Sequence, residues 1–366
     1  MLADASSLLN RIVEDLRKIS SQVDCAVACV SGGVDSTVSA VLAKMVLGDK
    51  VHPVFIDTGF MRSNEAVRVV ESLKELLKIE VYDFSESFVS RLEKISDAEE
   101  KRRVFRGLFY EAVKSIASEK GCSWIVQGTI KADVVETLGK LKTQHNVLDK
   151  QMLEKYGFKV IEPLIDLYKH EVRAIAEYLN IPKTITHRQP FPGPGLLVRA
   201  VGKPTREKIR IVRELTDIVE NLLSGKGFSQ YFPAVWEYRV QDTVRRGDLE
   251  YWVFDVKVTG VTSGRRTYGH PVVVSSWPSS MDVYDVYKLV NTEDHPHVLV
   301  KLHEKTSGSY VAALRVVKTV DFMTAEVPRV NPCELRELVQ AISEYPEIRL
   351  VALDVTPKPP ATIEYE

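Results

Sequence analysis

The chain has 366 residues, of which 45% are hydrophobic and 27% charged, so it can bury the cores of two domains without disulfide staples. Its 49 basic and 50 acidic side chains give a net charge of −1, which argues against a dedicated nucleic-acid binder and leaves open only a local basic groove. The first residues lack the apolar run of a signal peptide, and no apolar stretch approaches the ~20 residues of a membrane span. We expect a cytoplasmic protein that binds neither nucleic acid nor membranes.

The first half of the chain alternates between strand-like and helical patterns. Apolar runs predict strands at 25–30, 51–57, 80–84, 123–128 and 159–164, and helical spacing predicts helices at 34–47, 64–77, 98–118 and 168–179. This alternation predicts an α/β fold, a parallel sheet with helices on both faces. Ligands of such sheets bind beyond the carboxyl ends of the strands.

The second half follows a run of prolines and glycines at 189–196, where we expect no regular element. Beyond it the pattern predicts helices at 205–223 and 332–345 and strands at 233–240, 249–258, 271–276, 297–302, 310–320 and 348–355. We expect residues 1–190 to form the first domain, 191–204 a linker and 205–366 an α+β domain. The composition of the Pro-rich end, 356–366, is typical of a frayed terminus.

The four cysteines, Cys25, Cys29, Cys122 and Cys333, include no C-x-x-C pair. Cys25 and Cys29 lie in one predicted strand and, at a period of two, share a face of it. We interpret both as small core residues, and we disfavour a disulfide or a metal site.

The first predicted strand leads into the sequence SGGVDS, residues 31–36, and then directly into a helix. Glycines let backbone amides approach a ligand closely, and a helix N-terminus attracts anions. Ser31 and Ser36 add hydroxyl donors, and Asp35 can cap the helix or hold a cation. Neither a Walker A loop nor a G-x-G-x-x-G fingerprint is present, so the sequence predicts a phosphate cradle of another kind.

SGGVDS resembles the pyrophosphate-binding PP-loop of the N-type ATP pyrophosphatases, which split ATP into AMP and pyrophosphate while adenylating a substrate oxygen. Other segments resemble GMP synthetases and follow in that family's order: VFIDTGFMRSNE (54–65), EEKRRVF (99–105), QGTIKADVVE (127–136), LKTQHNV (141–147), FPGPGLLVR (191–199), VDFMTA (320–325) and KPPATIEYE (358–366). The resemblance covers residues 20–234 and 310–366. The chain is similar to the ATP-pyrophosphatase subunit of this family.

The resemblance implies that ATP, with Mg²⁺, adenylates xanthosine monophosphate (XMP), and that ammonia then displaces AMP to give GMP. It implies ATP-binding residues at Ser31, Gly32, Gly33, Val34, Asp35, Ser36, Phe55, Asp57, Gly128 and Thr129. It implies catalytic roles for Asp35, Ser36, Lys142 and His145, the last two on a mobile lid, and metal binding by Asp35. On residue chemistry alone, Lys142 is an ordinary surface lysine.

The resemblance also implies a set of XMP contacts: Arg102, Gly193, Pro194, Gly195, Gln230, Arg266, Lys358, Thr362, Ile363 and Glu364. The C-terminal segment would then be a clamp whose last residues become ordered when XMP binds. The residues alone also allow Arg102 to be a solvated helix arginine. Gly264 departs from the family, which has an aspartate there, and segments 236–259 and 269–309 are insertions relative to the common bacterial form.

No cysteine lies in the Gly-x-Cys-x-Gly turn of a fused glutaminase, so the resemblance implies a separate glutaminase subunit, with free ammonia as the fallback donor. The family's second domain also implies a homodimer. Two alternatives stay open, a tRNA-modifying PP-loop enzyme and a non-catalytic nucleotide sensor. The balanced charge and the lack of C-x-x-C disfavour the first, and the intact SGGVDS disfavours the second.

Overall fold

The computed structural model describes residues 2–131, 155–320 and 322–366. The chain divides into two compact units, each built from segments that are distant in sequence. Unit 1 is Met1–Gly59, Asn64–Phe88 and Arg103–Gly193, and unit 2 is Phe60–Ser63, Val89–Arg102 and Pro194–Glu366. Among the described helices, none is long and apolar enough to cross a membrane.

Unit 1 contains a parallel sheet whose described strands run in the order β3-β2-β1-β4-β5. The strands are β1 (Ala26–Cys29), β2 (Val51–Asp57), β3 (Glu80–Asp83), β4 (Trp124–Val126) and β5 (Lys159–Ile161). In the central strand, Ala26 pairs with Val51 of β2 and with Trp124 of β4. The chain order reverses between β1 and β4, which makes the carboxyl end of β1 a topological switch point.

Helices flank this sheet, which confirms the predicted α/β fold. They are α1 (Leu2–Ile19), α2 (Val34–Leu47), α3 (Glu65–Leu73), α4 (Ser85–Leu92), α5 (Ala98–Lys120), α6 (Lys169–Tyr178) and α7 (Lys183–Thr186). The first residues of α5 and the last of α4 belong to unit 2. Helices α1, α2 and α6 pack against one another, and Val38 and Leu42 of α2 are fully buried.

Unit 2 contains a seven-stranded mixed sheet in the order β6-β13-β14-β12-β11-β8-β7 and a separate β9-β10 hairpin. The strands are β6 (Gln230–Glu237), β7 (Val240–Arg246), β8 (Leu249–Phe254), β9 (Val258–Thr262), β10 (Arg265–Gly269), β11 (Val272–Ser276), β12 (Val298–Glu304), β13 (Tyr310–Val317) and β14 (Ile348–Asp354). Helix α8 (Arg206–Leu223) contacts β6, and α9 (Pro332–Ser343) contacts α8 and β14. This agrees with the predicted α+β character.

Some elements differ from the prediction. Helices α1 and α4, strand β7 and the β9-β10 hairpin were not predicted, and a short 3₁₀ helix at Gly195–Val198 ends the Pro-Gly run where no regular element was expected. The hairpin turns at Ser263 (φ 51°) and Gly264 (φ 74°), both left-handed. Two-residue hairpin turns favour glycine at such positions, so the turn accounts for Gly264 where the family has an aspartate.

The structure corrects the interpretation of Cys25. It forms a disulfide with Cys122, which lies 97 residues later in the sequence, and the two Cα atoms are 4.6 Å apart. The two cysteines meet because they directly precede β1 and β4, which are neighbours in the sheet. Cys29 and Cys333 are free cysteines, and burial raises the pKa of the Cys29 thiol to about 12.

The structure also corrects the expectation of a frayed C-terminal segment. Tyr365 and Glu366 are buried, with relative exposures of 0% and 1%. The segment runs beside β9, since Val261 N donates to Pro360 O (2.7 Å) and Thr259 N donates to Tyr365 O (2.8 Å). The last residues are therefore part of the core of unit 2 without any ligand.

A buried ion pair joins this segment to the first turn of α5. The Lys101 ammonium donates to Glu366 and to three backbone oxygens, those of Leu197 (3.5 Å), Ala200 (3.2 Å) and Gly202 (2.8 Å). Gly202 N donates to Glu366 Oε1 at 2.9 Å. Burial lowers the pKa of Lys101 and raises the pKa of Glu366, so burial costs each charge more than its partner returns.

Asp354, at the end of β14, forms the centre of a second buried charge cluster. Its carboxylate accepts a hydrogen bond from the Tyr365 hydroxyl (2.8 Å). It lies 2.6 Å from His297 Nδ1 and 3.1 Å from Arg315 Nη1, and all three of these charged groups are fully buried. Burial alone would raise the pKa of Asp354, but Arg315 and His297 outweigh burial and lower it to about 2.

Candidate functional site

In unit 1, the loop of residues 31–36 follows β1 at the switch point. The Ser36 hydroxyl accepts from Ser31 N (3.2 Å), donates to Gly33 O (3.1 Å) and lies 3.0 Å from Ser31 Oγ. Gly33 is the N-cap of α2, and no side chain caps the helix there. The first turn of α2 therefore presents N–H groups and a positive dipole end, which together form an anion site.

Two glycines allow close packing around this loop. A Cβ on Gly128, after β4, would lie 2.7 Å from Ser36 N and 2.8 Å from the Asp35 carbonyl carbon, closer than real Cβ atoms approach. Gly32 has a φ of +80°, and its Cβ would lie 2.6 Å from Val69. Larger residues at either position would displace the loop, so these glycines have a structural reason to be glycine.

Asp35, the second residue of α2, has two different oxygen environments. Its Oδ2 forms an ion pair with Lys169 at the start of α6, whereas its Oδ1 is buried and hydrogen-bonds to none of the described residues. A buried carboxylate oxygen without a partner suits a hard cation such as Mg²⁺. Sequence reasoning missed Lys169; its only signal was a position after a predicted strand of the same sheet.

A second ion pair lies against the loop. Arg188 donates from both terminal nitrogens to the two carboxylate oxygens of Glu65, at 2.5 and 2.7 Å, and the Glu65 side chain is 1% exposed. A Cβ on Gly32 would lie 3.5 Å from Glu65 Oε1 and 3.7 Å from Arg188 Nη1. The pair therefore supports the loop from one side, and sequence reasoning missed both of its members.

The other predicted ATP-binding residues fall in different surroundings. Phe55 is 1% exposed, so it can offer a ligand little beyond its backbone. Asp57 ends β2, and its Oδ1 accepts from Gly59 N at 2.8 Å. Thr129 is 1% exposed beside Gly128 in the sequence. The structure thus brings together residues 31–36 and Gly128, whereas Lys142 and His145 lie outside the described residues.

In unit 2, four polar side chains meet where α5 approaches the hairpin. The Glu99 carboxylate accepts from Arg266 Nη1 (2.5 Å) and from the Tyr268 hydroxyl, and it lies 3.9 Å from Arg102 Nη1. Burial alone would raise the pKa of Glu99, but the bonds from Tyr268 and Arg266 outweigh burial and lower it. Burial, then Glu99, raises the pKa of Tyr268 to about 12.

Arg102 is the member of this cluster that lacks a sufficient counter-charge. Its side chain is 12% exposed, and its Nε hydrogen-bonds to nothing in the part of the chain that the structure describes. Burial, together with the neighbouring charge of Arg266, lowers the pKa of Arg102. A half-satisfied, largely buried guanidinium is suited to a bidentate anion such as phosphate.

The C-terminal residues predicted to contact XMP make contacts within unit 2. Thr362 Oγ1 lies 2.6 Å from Thr259 Oγ1, and Lys358 donates to the Phe322 carbonyl. Arg199, which is fully buried, donates to both oxygens of Glu364 at 2.8 and 3.0 Å. Further residues of the predicted set have these exposures: Ile363 8% and Gln230 5%. The segment is therefore shaped before any ligand arrives.

The Gly-Pro-Gly run divides between the units. Gly193 is exposed and ends unit 1, whereas Pro194 and Gly195 are buried in unit 2. The next residue, Leu196, donates its N–H to Phe60 O at 2.7 Å. This bond fixes the run within unit 2 and leaves the contribution of Gly193 to XMP binding as a prediction.

Comparisons with known proteins identify the family. The GMP synthase C terminal domain family matches residues 292–365, and the family described as Thiamine biosynthesis protein (ThiI) matches residues 21–191. The chain is 45% identical to the synthetase subunit of the glutamine-hydrolyzing GMP synthase of Sulfurisphaera tokodaii, over 100% of both chains. The chain belongs to the family of GMP synthase synthetase subunits. It is 36% identical to the corresponding subunit of Methanococcus vannielii, over 99% of each chain.

Membership of this family confirms that the chain is an enzyme, a ligase that forms a C–N bond in GMP synthesis and uses ATP. Among solved structures, NMN synthetase from Francisella tularensis is 18% identical, with a TM-score of 0.41 over 57% of this chain and 93% of that chain. That likeness is too distant to say anything about function.

Proposed function

We propose that the chain activates the C2 oxygen of XMP by adenylation and then replaces that oxygen with ammonia. The oxygen attacks the α-phosphorus of ATP, and pyrophosphate leaves. Ammonia attacks C2, and AMP departs with the original oxygen, which yields GMP. The observation that carries this proposal is the uncapped start of α2, with two serine hydroxyls beside it, at the switch point of the unit 1 sheet.

The loop residues of unit 1 would bind and orient the departing pyrophosphate. Ser36 is held by three contacts within the loop, so its hydroxyl is already positioned when ATP binds. Lys169 would move from Asp35 toward a phosphate oxygen, because both are anionic partners of the same ammonium. The free Oδ1 of Asp35 fits Mg²⁺, which would offset phosphate charge when bound.

The unit 2 cluster would bind XMP through its phosphate. Arg102 supplies an incompletely paired cation, and Arg266 adds a second positive charge that shares Glu99 with it. A phosphate that replaces Glu99 as the partner of these arginines would make charge-assisted hydrogen bonds at little cost in reorganisation. The other predicted XMP residues, including Lys358 and Gln230, belong to the same proposal.

The proposal includes a separate glutaminase subunit as the source of ammonia. The relatives are named as one subunit of a glutamine-hydrolyzing GMP synthase, and none of the four cysteines of this chain lies in a Gly-x-Cys-x-Gly turn. It also includes the homodimer and the cytoplasmic location that we expect from the sequence.

The test follows the C2 oxygen of XMP. XMP labelled with ¹⁸O at C2 is incubated with the purified chain, ATP, Mg²⁺ and an ammonium salt, and the products are analysed by mass spectrometry. We expect GMP, AMP and pyrophosphate in equal amounts, with the label in AMP. Label in pyrophosphate, or phosphate and ADP as products, would overturn the adenylation step.

A parallel reaction with glutamine in place of the ammonium salt tests the partner. We expect no GMP from the purified chain, because it has no glutaminase nucleophile turn. GMP made from glutamine by this chain alone would remove the need for a separate subunit.

A further inference from the structure

Three side chains that bind metals well meet at the amino ends of the unit 1 strands, the edge of the sheet opposite the 31–36 loop. Cys25 precedes β1, Cys122 precedes β4, and His52 is the second residue of β2. Their sulfur and imidazole nitrogen atoms lie within 4.8 Å of one another. The cluster thus joins three neighbouring strands and has no part in the chemistry of the PP-loop.

Two sulfurs and one imidazole form the donor set of a zinc-class cation. Tetrahedral bonds of about 2.3 Å to sulfur place two thiolates roughly 3.8 Å apart, so a cluster of this size needs only a small movement of the sulfurs to close on a metal. Water would complete the fourth position. Within the described residues the His52 ring hydrogen-bonds to no other group, so it is available as a ligand.

In the structure the two sulfurs are bonded to each other, and a disulfide cannot supply thiolates. A dithiol reductant changes this by thiol–disulfide exchange. It gives two electrons to the S–S bond and one proton to each sulfur, and it becomes a disulfide itself. A divalent cation then displaces both protons, and the two thiolates neutralise its charge, so the site can stay largely buried.

We propose that Cys25, Cys122 and His52 form a binding site for a zinc-class divalent cation when the Cys25–Cys122 disulfide is reduced. The two states are exclusive and structurally different. The disulfide ties the segment before β1 to the segment before β4, whereas the metal also ties in β2 through His52. The site therefore keeps this edge of the sheet crosslinked under either oxidising or reducing conditions.

Cobalt titration of the full chain tests the proposal, with Co²⁺ as the spectroscopic substitute for zinc. The chain is reduced by a phosphine, since a dithiol would itself bind the metal. We expect one Co²⁺ per reduced chain with thiolate-to-cobalt charge-transfer absorption, release of two protons, and displacement by Zn²⁺. The oxidised chain should show no such absorption.

Two variants and one control make the test specific. His52→Ala retains the disulfide and should fold normally, yet after reduction it should bind Co²⁺ more than about tenfold more weakly, since even groups behind a metal ligand contribute about 10–100-fold. Cys122→Ser should lose the charge-transfer band, and Cys333→Ser, at the exposed free cysteine, should keep it. No thiolate absorption in the reduced chain, or unchanged affinity in His52→Ala, would overturn the proposal.

Discussion

The buried Lys101–Glu366 pair gives the sharpest quantitative prediction. Lys101→Met leaves a carboxylate buried at 1% exposure, with Gly202 N–H still donating to it. Glu366→Gln leaves a buried ammonium with the three backbone oxygens alone. Removing one partner of a buried pair costs about 3–5 kcal/mol, because the other charge stays uncompensated.

Replacing both residues should cost much less than the sum of the single changes. Burial shifts the pKa of each group toward its neutral form, so the pair as a whole contributes little net stability. For a domain of about 150–250 residues, each kcal/mol shifts Tm by roughly 2–4 °C, so each single variant should melt about 6–20 °C lower. Lys101→Met/Glu366→Gln should recover most of this loss.

The two single variants should also respond to pH in opposite directions. The raised pKa of Glu366 means that its protonated form favours folding, so the deficit of Lys101→Met should shrink as pH falls toward 4.5, the ordinary value for Glu. The lowered pKa of Lys101 means that its neutral form favours folding, so the deficit of Glu366→Gln should shrink as pH rises toward 10.5.

Calorimetry and urea unfolding across this pH range provide the measurement. Lys288→Met, which breaks an exposed ion pair with Asp285 in the same unit, serves as the control and should change nothing measurable. Equal pH slopes in the two single variants, or a double variant as unstable as the sum of both, would refute the reasoning.

Three further predictions concern the site and its support. Ser36→Ala should lower pyrophosphate release about 10²–10³-fold with little change in Tm, whereas the control Asp49→Asn, at the exposed far end of α2, should keep the rate. Lys358→Met should raise KM for XMP about tenfold or more and leave KM for ATP unchanged; an equal rise in both would indicate general damage. Because the pKa of Asp354 is lowered to about 2, its contribution of about 2 kcal/mol is complete above pH 4 and lost between pH 4 and 2, and Asp354→Asn should lack this dependence in urea unfolding.

The features predicted well depend on residues that are close in sequence. Helix α2 and strand β2 have the predicted bounds, because apolar spacing and flanking glycines act locally. The 31–36 loop was predictable for the same reason, since its hydrogen bonds join residues at most five apart.

The features that were missed depend on which strands and segments become neighbours. The Asp35–Lys169 pair spans 134 residues and the Cys25–Cys122 disulfide spans 97, so both depend on the order of strands in the sheet. The basic run that includes Lys101 resembled a solvated helix face, yet Lys101 is buried because its partner lies 265 residues away. Sequence periodicity carries no signal for contacts of this kind.

That distance has a consequence for how the chain folds during synthesis. Unit 2 combines residues 60–63 and 89–102 with the segment from 194 onward, and Lys101 finds Glu366 only when the last codon has been read. Contacts of such high sequence separation slow folding. Unit 1 holds most of the first half of the chain and can collapse earlier, while the start of α5 waits with an unpaired lysine. Chains that stop short of residue 366 should expose this region and be preferred substrates for chaperones and proteases.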